Sequence, residues 1–358
     1  MTTYSVITGT GIYLPKKKVS NDDFLDFAFY ESNGTPIAKD NRYVVDKFKE
    51  ITTIEERRYV ADDLVASDIA YFAAKDAIKD AQLDPETLDY IIVAHNFGDV
   101  KHGSNRSDMV PALAARVKHK LKIKNPECVA YDVPFGCPGW LQGMIQADYY
   151  IKSGDAKKIL VIGTETLSRV IDLHDRDSMI YADGAGATIL ESREADHRIG
   201  ILAHKTRSDT YRYAEMLTMG CSYNITEENK QDLYLKMNGR RLYQYALETV
   251  PLSIKACLDK AEVPIEKVKK VLIHQANGKM DDAIIDRLYK LYGYEEAPEG
   301  IMPMIISWLG NSSVATVPTL LDLILKNKVE GHRIEAGDLV VFASVGAGMN
   351  INAAVYQF

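Results

Sequence analysis

The sequence contains no apolar run approaching the roughly 20 residues that a membrane-spanning helix needs. Its first residues, "MTTYSVITGTGIYLP", lack a basic segment ahead of an apolar one, and Gly9, Gly11 and Pro15 would interrupt a signal-type helix. Cysteine is scarce: Cys128, Cys137, Cys221 and Cys257 form no C-x-x-C pair and are too sparse for a disulfide framework. That usage suits a reducing compartment, so the expectation is a cytoplasmic protein without a membrane partner. Positive charge is in deficit as well. A net charge of −7 argues against nucleic acid as the main partner, because phosphate binding needs a basic face. No H-E-x-x-H occurs, and His274 has no close Cys or His partner at ligand spacing, so no metal is expected. "GTGIYLP" matches only half of a dinucleotide fingerprint, with Pro15 standing where a helix should begin, and NAD is set aside.

What is present is the composition of a globular protein, 46% hydrophobic and 26% charged, in a chain of 358 residues. That length allows two domains, or two similar halves sharing a core. An internal repeat favours the second arrangement. Ala81 in "AQLDPETLDYIIVAH" aligns with Ala261 in "AEVPIEKVKKVLIHQ", an offset of 180, and Ile91-Ile92-Val93 then meets Val271-Leu272-Ile273. At the same offset Ile159-Leu160-Val161-Ile162 falls on Leu339-Val340-Val341-Phe342. These continuous apolar runs read as strands covered on both faces, as in layered α/β folds. The seam is placed at the charged stretch "ESREADHRIG", giving halves 1–195 and 196–358. Two polar, turn-rich segments, about 20–60 and 206–232, fit the repeat poorly and read as surface loops or lids.

Within the first half, "YDVPFGCPGWLQG" sets Cys137 between two glycines and directly before Pro138, at the end of an apolar run. Proline pushes the residue before it toward an extended geometry and is itself well suited to the start of a helix. The residues beyond place Trp140, Leu141, Met144, Ile145 and Tyr149 at helical spacing. The reading is strand, sharp turn at Cys137, then a helix whose N-terminus points at the sulfur and favours a thiolate. A lone cysteine is ordinarily a small buried filler, but the Gly-Cys-Pro-Gly setting departs from that use.

A nucleophilic cysteine needs a proton partner and donors for developing negative charge. "VLIHQANGKM" puts His274 directly after a buried strand, "WLGNSSVATVP" puts Asn311 in a glycine-led turn, and "FASVGAGMN" offers bare backbone N–H groups around Ala347. Taken singly, each has a plainer structural use. The histidine can be a hydrogen-bonded residue at a strand end, "GNSS" a turn held by the Asn side chain, and "GAG" a tight bend.

Together, "VPFGCPGW", "RDSMIYADGAGATIL", "HQANGKM", "LGNSSVATVP" and "GDLVVFASVGAGMNINAAVYQF" resemble β-ketoacyl-acyl carrier protein synthase III, of the thiolase superfamily, and the likeness runs nearly end to end. The resemblance implies a duplicated thiolase fold of the α/β class, five layers in the order α/β/α/β/α, that forms a homodimer. It implies no cofactor, with acyl-CoA and acyl carrier protein as substrates. Carried over by residue, Cys137 accepts an acyl group as a thioester, and His274 and Asn311 donate hydrogen bonds to the thioester carbonyl of malonyl-acyl carrier protein. Those donors stabilise the enolate left when carbon dioxide departs. Backbone N–H groups of Cys137 and Ala347 form the oxyanion hole. Asn277 contacts the pantetheine arm, Arg176 lies against the CoA adenine, and Lys279, with Arg240 and Arg241, docks the acidic carrier. Val110, in "SDMVPALAARV", takes the place of an aromatic residue that the other subunit lends to close the acyl channel.

Three places depart from the family pattern. Lys47 and Phe48 stand where an adenine-stacking tryptophan is expected, with Ile51 for a nearby arginine; the ending reads "GAGMNIN"; and Gln244 occupies a basic site. The expected reaction is a decarboxylating Claisen condensation, as in the initiation of fatty acid synthesis. A related condensing enzyme of secondary metabolism and a head-to-head acyl condensation use the same triad and stay open. A catalytically silent partner subunit is disfavoured because Cys137, His274 and Asn311 are all present. Hydroxymethylglutaryl-CoA synthase is disfavoured because no general-acid glutamate is found in the N-terminal half.

Overall fold

A computed structural model describes residues 1–358. In chain order the first part comprises β1 (Thr2–Tyr13), β2 (Lys17–Ser20), α1 (Asn41–Thr52), β3 (Glu56–Tyr59), α2 (Ala66–Asp80), β4 (Tyr90–His95) and α3 (Leu113–Leu121). It continues through β5 (Val129–Pro134), α4 (Gly139–Ser153), β6 (Lys158–Thr166) and β7 (Asp183–Ala195). After a short turn come β8 (Gly200–Ser208), α5 (Thr210–Tyr213), β9 (Leu217–Gly220), β10 (Tyr234–Met237), α6 (Gly239–Ala261) and β11 (Val268–Ile273). The chain ends with α7 (Gly278–Lys290), α8 (Ile306–Leu309), α9 (Thr316–Leu325), β12 (Leu339–Gly346) and β13 (Asn350–Gln357).

Two sheets carry the repeat. The first has strand order β1-β7-β6-β4-β5 and the second β11-β12-β13-β8. In both, the apolar runs aligned in the sequence pair in parallel: β4 with β6, and β11 with β12. Each is then flanked by an antiparallel long strand, β7 or β13. The second sheet lacks a counterpart to β5. The segment 180 positions after β5 is instead the short helix α8 and the turn carrying Asn311, which pairs with Tyr181 only as an isolated bridge.

Helices α4 and α9 lie between the sheets in one apolar cluster drawn from both of them. Trp140 of α4 meets Phe342 of the opposite sheet edge to face at 5.8 Å. Burying such side chains contributes about 1.5–3 kcal/mol each. Helices α2 and α3 cover the outer face of the first sheet, and α6 and α7 that of the second, each over its own core. The result is the five-layer α/β/α/β/α thiolase fold. No helix is long and apolar enough to cross a membrane.

The segments read as loops contain regular structure. Residues 41–52 form α1, capped by Asp40, whose side chain accepts from the Arg42 N–H at 2.8 Å. Val44, Val45 and Phe48 bury one face of it over the first half. Beyond β8, the residues up to 237 form α5 and the β9–β10 hairpin. Lys236 pins that hairpin by bridging the buried Asp172 and Asp175 and lying over the Tyr223 ring at 3.5 Å. Tyr149, read as part of the apolar face of its helix, is exposed.

Candidate active site

Strand β5 delivers the chain to Cys137, and Pro138 caps α4 with φ −77°. The turn depends on two glycines. Gly136 has φ +66°, a left-handed conformation that costs little without a Cβ. A Cβ at Gly346 would lie 2.7 Å from the Cys137 nitrogen, and one at Gly136 3.0 Å from the Ala347 nitrogen. These two bare positions let the Cys137 and Ala347 backbones run side by side against one chamber. Burial pushes the thiol up to about 11, with the Ser313 hydroxyl acting in the opposite direction. The helix N-terminus supplies positive potential at the same sulfur.

His274 follows β11, and its N–H donates to the Ala343 carbonyl of β12 at 2.9 Å. Burial drives the imidazole down to about 4, so the ring is neutral at neutral pH and serves as a hydrogen-bonding group rather than a cation. Its Nδ1 is buried without a partner. The next residue, Gln275, anchors this loop: its Nε2 donates to the Pro303 carbonyl at 2.8 Å, and its Oε1 accepts from the N–H groups of Ile305 and Ile306. Asn311 is held between Ile180 and Ala182 by backbone bonds of 3.0 and 2.8 Å. Its Oδ1 accepts from the Ser313 N–H at 2.7 Å, the Asn-held turn that the "GNSS" spacing suggests.

The structure brings Cys137, His274, Asn311 and Ala347 to the wall of one chamber of about 60 Å³, together with Phe97, Leu217, Leu235 and Val345. Ser313 and Tyr181 join them there, and sequence reading missed both. The Tyr181 hydroxyl is buried without a partner, and burial holds it well above the usual phenol range. A tyrosine inside an apolar motif gives no sign of sharing a cavity with a thiol 44 positions away.

A cleft of about 770 Å³ opens from the chamber to the surface, sharing Met237, Leu242, Ala276, Met280 and Asn311 with it. Asn277 and Arg176 line this cleft, and so does Arg240. Asn277 caps α7 through its side-chain oxygen, 3.1 Å from the Met280 N–H, which leaves its amide hydrogens for a ligand. Lys47, Phe48 and Ile51 of α1 form part of the wall, joined by Lys39 and Tyr43. The cleft also contains Asp177, raised to about 6 by burial and by the neighbouring Asp175.

Three nominated residues lie outside both cavities. Lys279 sits beside the mouth, 3.8 Å from Glu50, which also binds Lys47 at 2.8 Å. Arg241 is exposed on the first turn of α6. Val110 is 87% exposed and lines neither the cleft nor the chamber of its own chain. The arrangement offers a soft nucleophile, neutral donors and adjacent backbone N–H groups at the inner end of a passage from solvent.

Comparison with known proteins gives the family of the chain. The family description 3-oxoacyl-[acyl-carrier-protein (ACP)] synthase III matches residues 131–210, and its C-terminal counterpart matches residues 258–358. Among solved structures, the chain is similar to 3-oxoacyl-[acyl-carrier-protein] synthase III from Aquifex aeolicus, with 28% identity, 99% of this chain and 100% of that one covered, and a TM-score of 0.78. The β-ketoacyl-[acyl carrier protein] synthase III of Thermus thermophilus gives 28% identity, 99% coverage of each chain and a TM-score of 0.80. The priming β-ketosynthase of the R1128 polyketide biosynthetic pathway shares the fold at 24% identity, with 99% and 96% covered and a TM-score of 0.80. The matched segments contain Cys137, His274, Asn311 and Ala347, and the likeness spans the chain: it belongs to the 3-oxoacyl-[acyl-carrier-protein] synthase III family of thiolase-fold condensing enzymes.

Proposed function

We propose that the protein condenses an acyl group, delivered by acyl-CoA, with malonyl-acyl carrier protein to give β-ketoacyl-acyl carrier protein, as in the initiation of fatty acid synthesis. In the first half-reaction the Cys137 thiolate attacks the acyl thioester. The bond to the leaving thiol breaks, and that thiolate takes up the proton Cys137 gave away. In the second, the malonyl group loses carbon dioxide. The enolate so formed attacks the acyl-cysteine carbonyl, and the Cys137 thiolate is expelled and reprotonated.

His274 and Asn311 hydrogen-bond the enolate oxygen, and the N–H groups of Cys137 and Ala347 bind the tetrahedral oxyanion. A neutral imidazole suits this role because it donates without holding the malonyl carboxylate as an ion pair. Asn277 and Arg176 hold the thioester's arm, Lys279, Arg240 and Arg241 receive the acidic carrier, and a second copy of the chain lends Val110 to the acyl channel of its homodimer partner. No metal or redox cofactor enters the scheme.

The observation that carries this reading is the convergence of Cys137, His274, Asn311 and Ala347 on one buried chamber at the inner end of an open cleft. Intact-protein mass spectrometry tests it. The protein is incubated with a panel of acyl-CoA and acyl-carrier donors, then with malonyl-acyl carrier protein. The expected result is one acyl adduct on Cys137, discharged to a β-ketoacyl carrier with loss of carbon dioxide. Condensation of two long acyl groups would instead indicate a head-to-head enzyme, and failure of every donor to load Cys137 would overturn the assignment.

A further inference from the structure

Ser313 touches all three of the residues nominated for chemistry. Its hydroxyl lies 3.2 Å from Cys137 Sγ, its N–H donates to Asn311 Oδ1 at 2.7 Å, and its backbone lies against the His274 ring. It does so in a left-handed conformation, φ +53°, that a residue with a Cβ adopts at a cost of about 1–3 kcal/mol. Strain of that kind persists only where the surroundings hold it.

The direction of the Ser313 hydroxyl is fixed from the far side. Asn96 Nδ2 donates to Ser313 Oγ at 3.1 Å and to Glu165 Oε2, which also accepts from the Asn96 N–H at 3.0 Å. Turning the Asn96 amide around would set its oxygen against the carboxylate, so the donor end faces Ser313. With its oxygen occupied as an acceptor, Ser313 has its one hydrogen left for the sulfur.

We propose that Ser313 is the positioning residue of the nucleophile, and that its hydroxyl, turned by Asn96, stabilises the Cys137 thiolate and aims it into the chamber. This rests on Cys137 being the nucleophile, but it is tested on the thiol itself. The titratable groups around the sulfur are Glu165 at the end of β6, His274 after β11 and Tyr181 before β7. Of these Glu165 opposes ionisation of the thiol. Ser313 is the hydrogen-bonding side chain that favours it.

The experiment is the pH profile of Cys137 alkylation by iodoacetamide on the full chain, resolved by peptide mass spectrometry, with exposed Cys221 as internal reference. Only the thiolate reacts, so the inflection reports the thiol pKa. Ser313→Ala and Ser313→Gly are expected to move the inflection up by about one unit, a roughly tenfold slower reaction at any pH well below it, with Cys221 unmoved. The glycine variant accepts φ +53° without strain, so a folding defect confined to Ser313→Ala does not obscure the result. Asn96→Ala is expected to shift the inflection the same way by less, and to add nothing in a Ser313→Ala background. An inflection that stays in place in both Ser313 variants overturns the proposal, as does an Asn96→Ala shift of undiminished size without the hydroxyl. A protein that loads no acyl donor yet shows the shift leaves the role of Ser313 standing and removes the proposed reaction.

Discussion

The N–H of Ser313 donates to Oδ1 of Asn311 at 2.7 Å, and this bond decides which end of the Asn311 amide is free for the chamber. With the oxygen held in the turn, the amide hydrogens are the part left for a substrate. Asn311→Ala removes both a turn bond and a donor. It should lower stability by about 1 kcal/mol and malonyl decarboxylation by on the order of 10²–10³. Acyl loading of Cys137 should change little. Radiolabelled carbon dioxide release and intact mass on one preparation compare the two steps, and a loading defect as large as the decarboxylation defect would contradict this division.

His274 gives a pH signature. Burial holds the imidazole near 4, so it stays neutral, and able to donate, down to well below the ordinary histidine range. Decarboxylation by a Cys137→Ala variant, which isolates this step, should therefore show no acid limb near pH 6.5. A limb at that pH which disappears in His274→Ala would mean that the ring titrates normally.

Glu165 links the buried network to stability. Its carboxyl is raised to about 7 by burial, against an ordinary value near 4.5 in the unfolded chain. Between those values the folded protein binds more protons than the unfolded one, so this group's contribution to stability declines as pH rises from 4.5 to 7. Glu165→Gln keeps an acceptor for Asn96 and cannot ionise. The variant should gain stability over wild type at pH 8, by up to a few kcal/mol, and lose that advantage near pH 5. Urea denaturation at the two pH values measures the difference, and an equal effect at both would show that Glu165 does not titrate in this range.

At the mouth, Glu50 occupies both Lys47 and Lys279, which limits what either lysine offers a carrier protein. Lys279→Glu should raise the KM for an acidic carrier, and Glu50→Gln should lower it, each by about 2–5-fold, as exposed ion pairs are weak. Added salt should shrink both effects. Identical changes with a small thioester substrate would show that the rim does not dock the carrier.

Val110 offers the test of acyl choice. If the proposed dimer brings Val110 to the partner's acyl channel, a valine there in place of a ring would leave room for longer or branched groups, each further buried CH₂ contributing about 0.8 kcal/mol, close to a fourfold preference. Val110→Phe should shift use toward acetyl donors. An enzyme that already prefers acetyl-CoA tenfold over every longer donor would refute the open channel.

The strands were legible because they are covered on both faces and so appear as unbroken apolar runs, twice, at one offset. The Cys137 elbow was legible because proline restricts the residue before it and suits the start of a helix. Helix α1 was hidden by the polarity of "NRYVVDKFKEIT", although Asp40 followed by Val44, Val45 and Phe48 carries a capping residue and an amphipathic stripe. Ser313 was hidden for a different reason. Its place depends on a left-handed backbone angle and on a sulfur 176 positions away, and neither leaves a trace in residue spacing.

The missing fifth strand of the second sheet has a consequence for how the molecule comes into being. Where the first sheet ends in β5 and leads on to Cys137, the second gives way to a turn, so the chamber's opposite wall is made of loops that only a finished sheet holds in place. Gly346 lies against Cys137, and Asn311 is bonded to Ile180 and Ala182, so the wall around Cys137 waits for sequence far downstream. Such distant pairings form late and slowly. A ribosome-bound chain that has already made Cys137 has not yet made His274, Asn311 or Ala347, and under the proposed reaction acyl loading would report that the last strands have docked.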